Sequence, residues 1–277
     1  TTEADRVAAA FATFLEKIAD QQQSVNWATR VWTAQTYFNM STTERTGPSA
    51  NPMRLSDSQR RYIIKSRDAY QSLLDNAAQN PNLSPNENAL LAVKLQLGEC
   101  HRALGEYQLA LDMFSDILKD KESSLSVQRA AAYTYQARGQ SEAPQWLERA
   151  IHGGYKLKST GQNRIWGWLK ISQVALRASR NEEKHRDVFY EARVNIARCR
   201  YLAAIKRSGA RRQQDLAKAK QSIQSVAQLY PDLGGDRWRG EFDTLLKQIQ
   251  SAAGEQANGL REFSAGQPAS TRNSPQS

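Results

Sequence analysis

Cysteine and histidine are scarce in this 277-residue chain, with two of the first and three of the second. Cys100 and Cys199 stand far apart with no CxxC around them, and His101, His152 and His185 do not cluster, so neither a disulfide framework nor a metal site is implied. The cysteines are expected to be small buried hydrophobes on helices, and the histidines helix residues without catalytic duty. No run of about 18 apolar residues occurs, which leaves no membrane span to place. β-branched runs with a period of two are missing as well, and this favours an all-α chain. The 15 glycines and 8 prolines fall mostly between apolar-periodic segments, the arrangement of long helices joined by short turns. A mean hydropathy of -0.69 suits a molecule with much surface for its core.

Signatures of chemistry are missing too. GxGxxG, the phosphate-binding GxxxxGK loop, HExxH, GxSxG and the calcium loop do not occur. No set of polar groups with a stated catalytic role can be assembled, so no enzyme activity, cofactor or metal is expected. Asn39 and Asn82 begin NxS triplets, a pattern that arises easily by chance.

What the chain does contain is one pattern written twice. Between Ala89 and Gly154, Gly105 recurs as Gly139, Ala110 as Ala143, Phe114 as Leu147 and Ile117 as Ala150, a spacing of 33 to 34 residues. A period near 34 is that of a helix-turn-helix unit. In the first copy Leu97 and Gly98 belong to the leading helix, Leu104 and Gly105 to the turn, and Tyr107, Ala110, Phe114 and Ile117 to the second helix. In the second copy Ala131, Ala132 and Tyr135 build the leading helix, Gly139 is expected to make the turn, and Ala143, Leu147 and Ala150 follow on a helix stopped by Gly153 and Gly154.

This pattern resembles the tetratricopeptide repeat family. Gly98, Ala110, Phe114 and Ile117 fall on that repeat's small, small, aromatic and small-or-apolar positions, although Lys94 stands where the family has a bulky apolar residue. Two looser copies flank the clear ones: Ala69, Leu73 and Pro81 on one side, and Ala219, Ile223, Val226 and Pro231 on the other. The resemblance is closest over 89–154, looser over 56–88 and 161–231, and weakest before 56. It implies an α-solenoid of about four helix pairs over residues 1–253. With Thr1 preceded by no methionine or signal-like segment, the expected setting is the C-terminal part of a longer bacterial protein of this kind. Its expected compartment is the cytoplasm unless an earlier segment carries an export signal.

Around the repeats, residues 4–22 place Val7, Phe11, Phe14, Leu15 and Ile18 on one helical stripe, and Trp27, Val31, Ala34 and Phe38 on the next. Gly47, Pro48 and Pro52 make 41–55 a loop. Ser56 is a plausible N-cap for a helix running to Asn80. Between 155 and 212 the helix phase is open: Trp168, Ile171, Ser172 and Ala175 fit a leading helix, while Ala192, Ile196 and Cys199 fit either member of a pair. Trp168 is expected in the core, and Trp166, on another face of the same helix, is the better exposed anchor. A capping helix is expected over 236–253, with Phe242, Leu245, Leu246 and Ile249 inward, followed by a disordered tail at 254–277 in which Leu260 and Phe263 could dock.

Charge is gathered in one place. Residues 177–220 carry 13 Lys plus Arg against 5 Asp plus Glu, whereas the rest of the chain is near balance. Arg193, Arg198, Arg200, Arg207 and Arg211 could form a stripe on one long helix, with Lys206, Arg212, Lys218 and Lys220 around it. Such a stripe would attract an anionic polymer, and the bland alternative is a solvated helix face.

In the resembling family the leading helices line a concave groove that takes extended peptides or helices. Carried onto this chain, the groove comprises Leu95, Glu99 and Arg102 from one repeat and Arg129, Tyr133 and Gln136 from the next. Leu95 and Glu99 stand where some members clamp a carboxylate, so that clamp is not expected; Arg102 and Arg129 beside Tyr133 suit an acidic or aromatic peptide. The expected function is a non-catalytic scaffold binding a protein or peptide partner, with no membrane partner. The alternatives are nucleic-acid or anionic-polymer binding through 193–220, and a structural spacer in a longer repeat protein.

Overall fold

The computed structural model describes residues 26–43, 55–156, 163–180 and 182–264, together with positions 10, 13–15 and 17. Val7, Phe11 and Ile18 of the expected first stripe lie outside the described residues, as do 44–54 of the expected loop and 265–277 of the expected tail. Of that stripe, Leu15 is buried whereas Phe14 is half exposed.

The described chain is mostly helical. In order it forms α1 (Trp27–Thr43), α2 (Asp57–Gln79), a 3-10 turn at Pro81–Leu83, α3 (Glu87–Leu104), α4 (Tyr107–Asp120), α5 (Leu125–Ser141) and α6 (Gln145–His152). Two short strands follow, β1 (Gly154–Lys156) and β2 (Asn163–Ile165), and then α7 (Trp168–Ala178), α8 (Lys184–Ile205), α9 (Gly209–Leu229), α10 (Asp236–Ala253) and α11 (Arg261–Ser264). The strands pair antiparallel, Gly154 opposite Ile165 and Lys156 opposite Asn163. They depart from the all-helical expectation, since three-residue strands are too short to write an alternation into the sequence. The chain clusters into two compact units, Thr1–Ala137 and Arg138–Ser277, the division falling within α5.

In the first unit each helix packs on the next from α1 to α4. The capping signal at Ser56 is realised: its hydroxyl accepts from the Gln59 amide at 3.2 Å while the Gln59 side chain accepts from the Ser56 amide at 2.9 Å. Ala34, Ile63, Tyr70, Leu73, Val93, Leu97 and Cys100 form the buried core where α1, α2 and α3 meet. Ser66 is wholly buried there, its hydroxyl donating to the Ala34 carbonyl at 2.8 Å and lying 3.4 Å from Cys100 Sγ. Burial pushes the Cys100 thiol up to about 12.

The α3–α4 turn is as tight as its sequence suggests. Gly105 adopts φ +83 and closes α3, its amide reaching Arg102 O at 3.1 Å and the next amide reaching His101 O at 2.9 Å. Gly98 does something different: a Cβ there would lie 2.4 Å from Phe114 Cε1, so the missing side chain is what lets the ring of α4 into the space. Phe114 is wholly buried.

Gly139 does not make a turn. It lies inside α5, where a Cβ would meet Leu147 Cγ at 2.5 Å and the Leu147 backbone nitrogen at 2.8 Å. It is therefore a close-approach glycine like Gly98, and the turn falls after it, at Glu142–Pro144. Ala143 accordingly sits in the connection rather than on α6, while Leu147 and Ala150 are buried as expected. Gly153 stops α6 at φ +91.

In the second unit α6 touches α7 and α8, α7 packs on α8, α8 on α9, and α10 on both α8 and α9. Trp168, Ile171, Ser172 and Ala175 are buried on α7. Trp166 precedes that helix rather than lying on it, and is half-buried with Lys170 Nζ 5.8 Å from its ring centre. Phe242, Leu245, Leu246 and Ile249 of α10 point into the main cluster with Val194, Ala197, Leu216, Ile223 and Val226. Residues 254–264 are not disordered: Gly254 closes α10 at φ +78, Gly259 N donates to Gln250 Oε1 at 2.8 Å, Leu260 N donates to Asp243 Oδ1 at 2.9 Å, and Leu260 and Phe263 dock on the cluster.

Candidate partner groove and arginine row

The residues expected to line a groove come from two helices of the first unit. Glu99 and Arg102 share a face of α3, one turn apart, and form an ion pair with Arg102 Nε donating to Glu99 Oε2 at 3.1 Å. The Arg102 guanidinium stands 6.0 Å from the centre of the Tyr133 ring on α5, within cation–π range. Glu99, Arg102 and Tyr133 are thus brought together, all half-buried. Arg129 lies one turn before Tyr133 and is half-buried, while Gln136 is buried and offers less to a visitor. The expected Arg102–Arg129 basic pair is modified by Glu99, which pairs with Arg102. The pairing of Glu99 with Arg102 was not expected, although their i, i+3 spacing signals it.

His101, next to these residues, sets Nδ1 2.6 Å from Glu106 Oε2, and Arg67 approaches the other Glu106 oxygen at 3.5 Å. This ties α2 to the α3–α4 turn. His152 and His185 lie near Glu148 and Glu182 at 3.9 and 3.7 Å. Cys100 and Cys199 are both buried thiols outside any disulfide, as expected of them. Among the described residues no group of three or more His, Cys, Asp or Glu is placed to hold a metal ion, and no helix is long and apolar enough to cross a membrane.

The basic residues do not make one helix stripe. Arg193, Arg198, Arg200 belong to α8, Arg207 to the segment after it, and Arg211, Arg212, Lys218 and Lys220 to α9, because α8 ends at Ile205 and α9 starts at Gly209. Most of them are spent inside the unit. Arg198 donates to Asn195 Oδ1 at 2.8 Å and to Glu241 Oε2 at 2.9 Å. Arg207 pairs with the buried carboxylate of Asp215 and approaches Glu148 at 3.8 Å. Arg200 donates to the Ser222 hydroxyl and to Lys218 O at 3.2 Å. Arg212 donates to Ala252 O at 3.1 Å, at the carbonyl end of α10, and Lys220 pairs with Glu255 at 2.7 Å. Arg211 is exposed. Arg193 is half-buried, and burial together with the neighbouring charge of Arg200 holds its guanidinium pKa below the ordinary arginine value.

One network was not foreseen. Asp232, in the turn before α10, takes an ion pair from Arg186 and a hydrogen bond from Tyr190 Oη at 3.3 Å, while Trp238 Nε1 donates to Asp187 Oδ1 at 2.9 Å. Phe189, Tyr190 and Tyr230 meet edge to face around it. A cleft of about 420 Å³ opens beside Asp187, Asp232 and Gly234, and a second of about 580 Å³ lies by Tyr201 and Lys247. Neither includes a residue expected in a site; the DLGG run after Pro231 was the available signal for the first. No protein-family model matches the chain, and neither does any curated protein or solved structure.

Proposed function

We propose that the chain is a non-catalytic interaction scaffold, built of helix pairs of the tetratricopeptide type, that receives a peptide segment of a partner protein at the face carrying Glu99, Arg102, Arg129 and Tyr133. The observation that supports this most is the approach of Arg102 on α3 to the ring of Tyr133 on α5. Leading helices of successive pairs meet in this way when they line a common groove, and Gly98 against Phe114 supplies the close helix packing within the first pair. An aromatic ring beside one compensated and one further arginine suits a segment with an acidic and an apolar side chain.

The basic segment supports a polymer-binding reading less well, because Arg198 and Arg207 already hold carboxylates of their own unit. Retention of partners from lysate after nuclease treatment tests the proposal. The parent chain should keep a protein that the double variant Arg129→Glu, Tyr133→Ala loses. If nuclease removes everything bound, or the double variant retains the same protein, the groove reading fails.

A further inference from the structure

Three arginines stand seven residues apart, at 193, 200 and 207, and so return to nearly the same side of α8 and its C-terminal extension. Arg207 and Arg200 reach the antiparallel α9, and what each of the three meets changes step by step. Arg207 meets a buried carboxylate, Asp215. Among the described residues Arg200 meets only neutral oxygens, the Ser222 hydroxyl and the Lys218 carbonyl. Arg193 donates a hydrogen bond to no described residue and makes no ion pair with one, and its electrostatic neighbours are Arg200 and Tyr230.

Compensation thus runs out along the row. A half-buried guanidinium that no described carboxylate meets, beside a second cation, costs folding free energy that an apolar side chain would not. Charged groups perturbed in this way cluster at functional sites. From this geometry we infer that Arg193 and Arg200 form an oxyanion site for a carboxylate of an acidic peptide, with Arg207 a structural member of the same row. A guanidinium fork matches a carboxylate through two parallel hydrogen bonds, and Arg200, already oriented by Ser222, is pre-set to share the charge. This site is separate from the groove on α3 and α5 and stands or falls without it.

The test uses fluorescence anisotropy at low ionic strength with the full chain. One labelled probe is a glutamate-rich peptide with an amidated C-terminus, and the other is a neutral peptide with a free C-terminal carboxylate. Binding of either probe supports the site and tells side-chain from terminal carboxylate, provided that Arg193→Gln weakens it about tenfold. Arg207→Gln and the groove variant Arg129→Glu, Tyr133→Ala should leave it within about twofold. Thermal melts give a readout independent of any ligand: Arg193→Gln should raise Tm, and Arg207→Gln should lower it by stranding Asp215. The inference is overturned if neither peptide binds, if Arg193→Gln binds as the parent does, or if Arg193→Gln lowers Tm as Arg207→Gln does. It is equally overturned if a single-stranded oligonucleotide alone binds the parent and is lost on Arg193→Gln, which would make the row a polymer contact.

Discussion

Gly98 against Phe114 and Gly139 against Leu147 are the same kind of close contact made at different distances from a turn. Gly98 and Phe114 are 16 residues apart in sequence, Gly139 and Leu147 only 8, so the second contact sits about one helical turn nearer its connection. In the first pair the leading helix runs on past its contact to a left-handed glycine, Gly105, and α4 has 14 residues in which to bury Ala110, Leu111, Phe114, Ile117 and Leu118. In the second, α6 has 8 residues and buries three. Sequence spacing aligned Gly139 with Gly105, whereas structure aligns it with Gly98. A glycine can end a helix or admit a neighbour, and its position in a period does not say which.

The comparison can be broken most forcefully at the large partners. Phe114→Ala should cost about 3–5 kcal/mol and Leu147→Ala about 2–5 kcal/mol, measured by urea denaturation; equal small losses for both would deny that these contacts organise their pairs. A sharper distinction comes from the glycines. Gly98→Ala and Gly139→Ala should each destabilise by about 1–3 kcal/mol through overpacking, but only the first should be rescued. All three atoms nearest to the Gly98 position belong to the Phe114 ring, so Phe114→Leu makes room, while Gly139 faces the Leu147 backbone nitrogen, which no side-chain change removes. Full recovery of Gly139→Ala by Leu147→Ala would contradict this.

The smallest effect uses a lever that only the first pair carries. The Cys100 thiol is neutral and buried on α3, raised to about 12 from an ordinary value near 9. Between those values the unfolded chain holds fewer protons than the folded one, so this contribution is complete below about pH 9 and is lost as pH rises toward 12. Tyr70 and the more deeply buried Cys199 shift the same way and add to the decline. Urea midpoints at pH 8 and 10.5 should fall less steeply for Cys100→Ala than for the parent, and an unchanged slope would remove Cys100 from the account.

Much of the helical skeleton was legible because its signals are local. Ser56 and Gln59 announce α2 within four residues, Gly105 ends α3, and the spacing of Phe242, Leu245, Leu246 and Ile249 marks the inner face of α10. The β-hairpin was not legible, since its strands are too short for a period. Nor was the fate of the basic segment. Arg198 finds Glu241 from 43 residues away and Arg186 finds Asp232 from 46, and pairings of that range depend on which helices pack together, not on the charge count. The Glu99–Arg102 pair was readable from its spacing, but the approach of Tyr133 to Arg102 needed the fold.

The two cysteines give the molecule a built-in pair of clocks. One thiol is sealed in each compact unit, Cys100 in the first and Cys199 in the second, and neither exposes any surface. Reaction with an alkylating reagent must wait for its own unit to open, so the two labelling rates, read separately by peptide mass mapping, report the opening free energy of each half of the chain without any mutation.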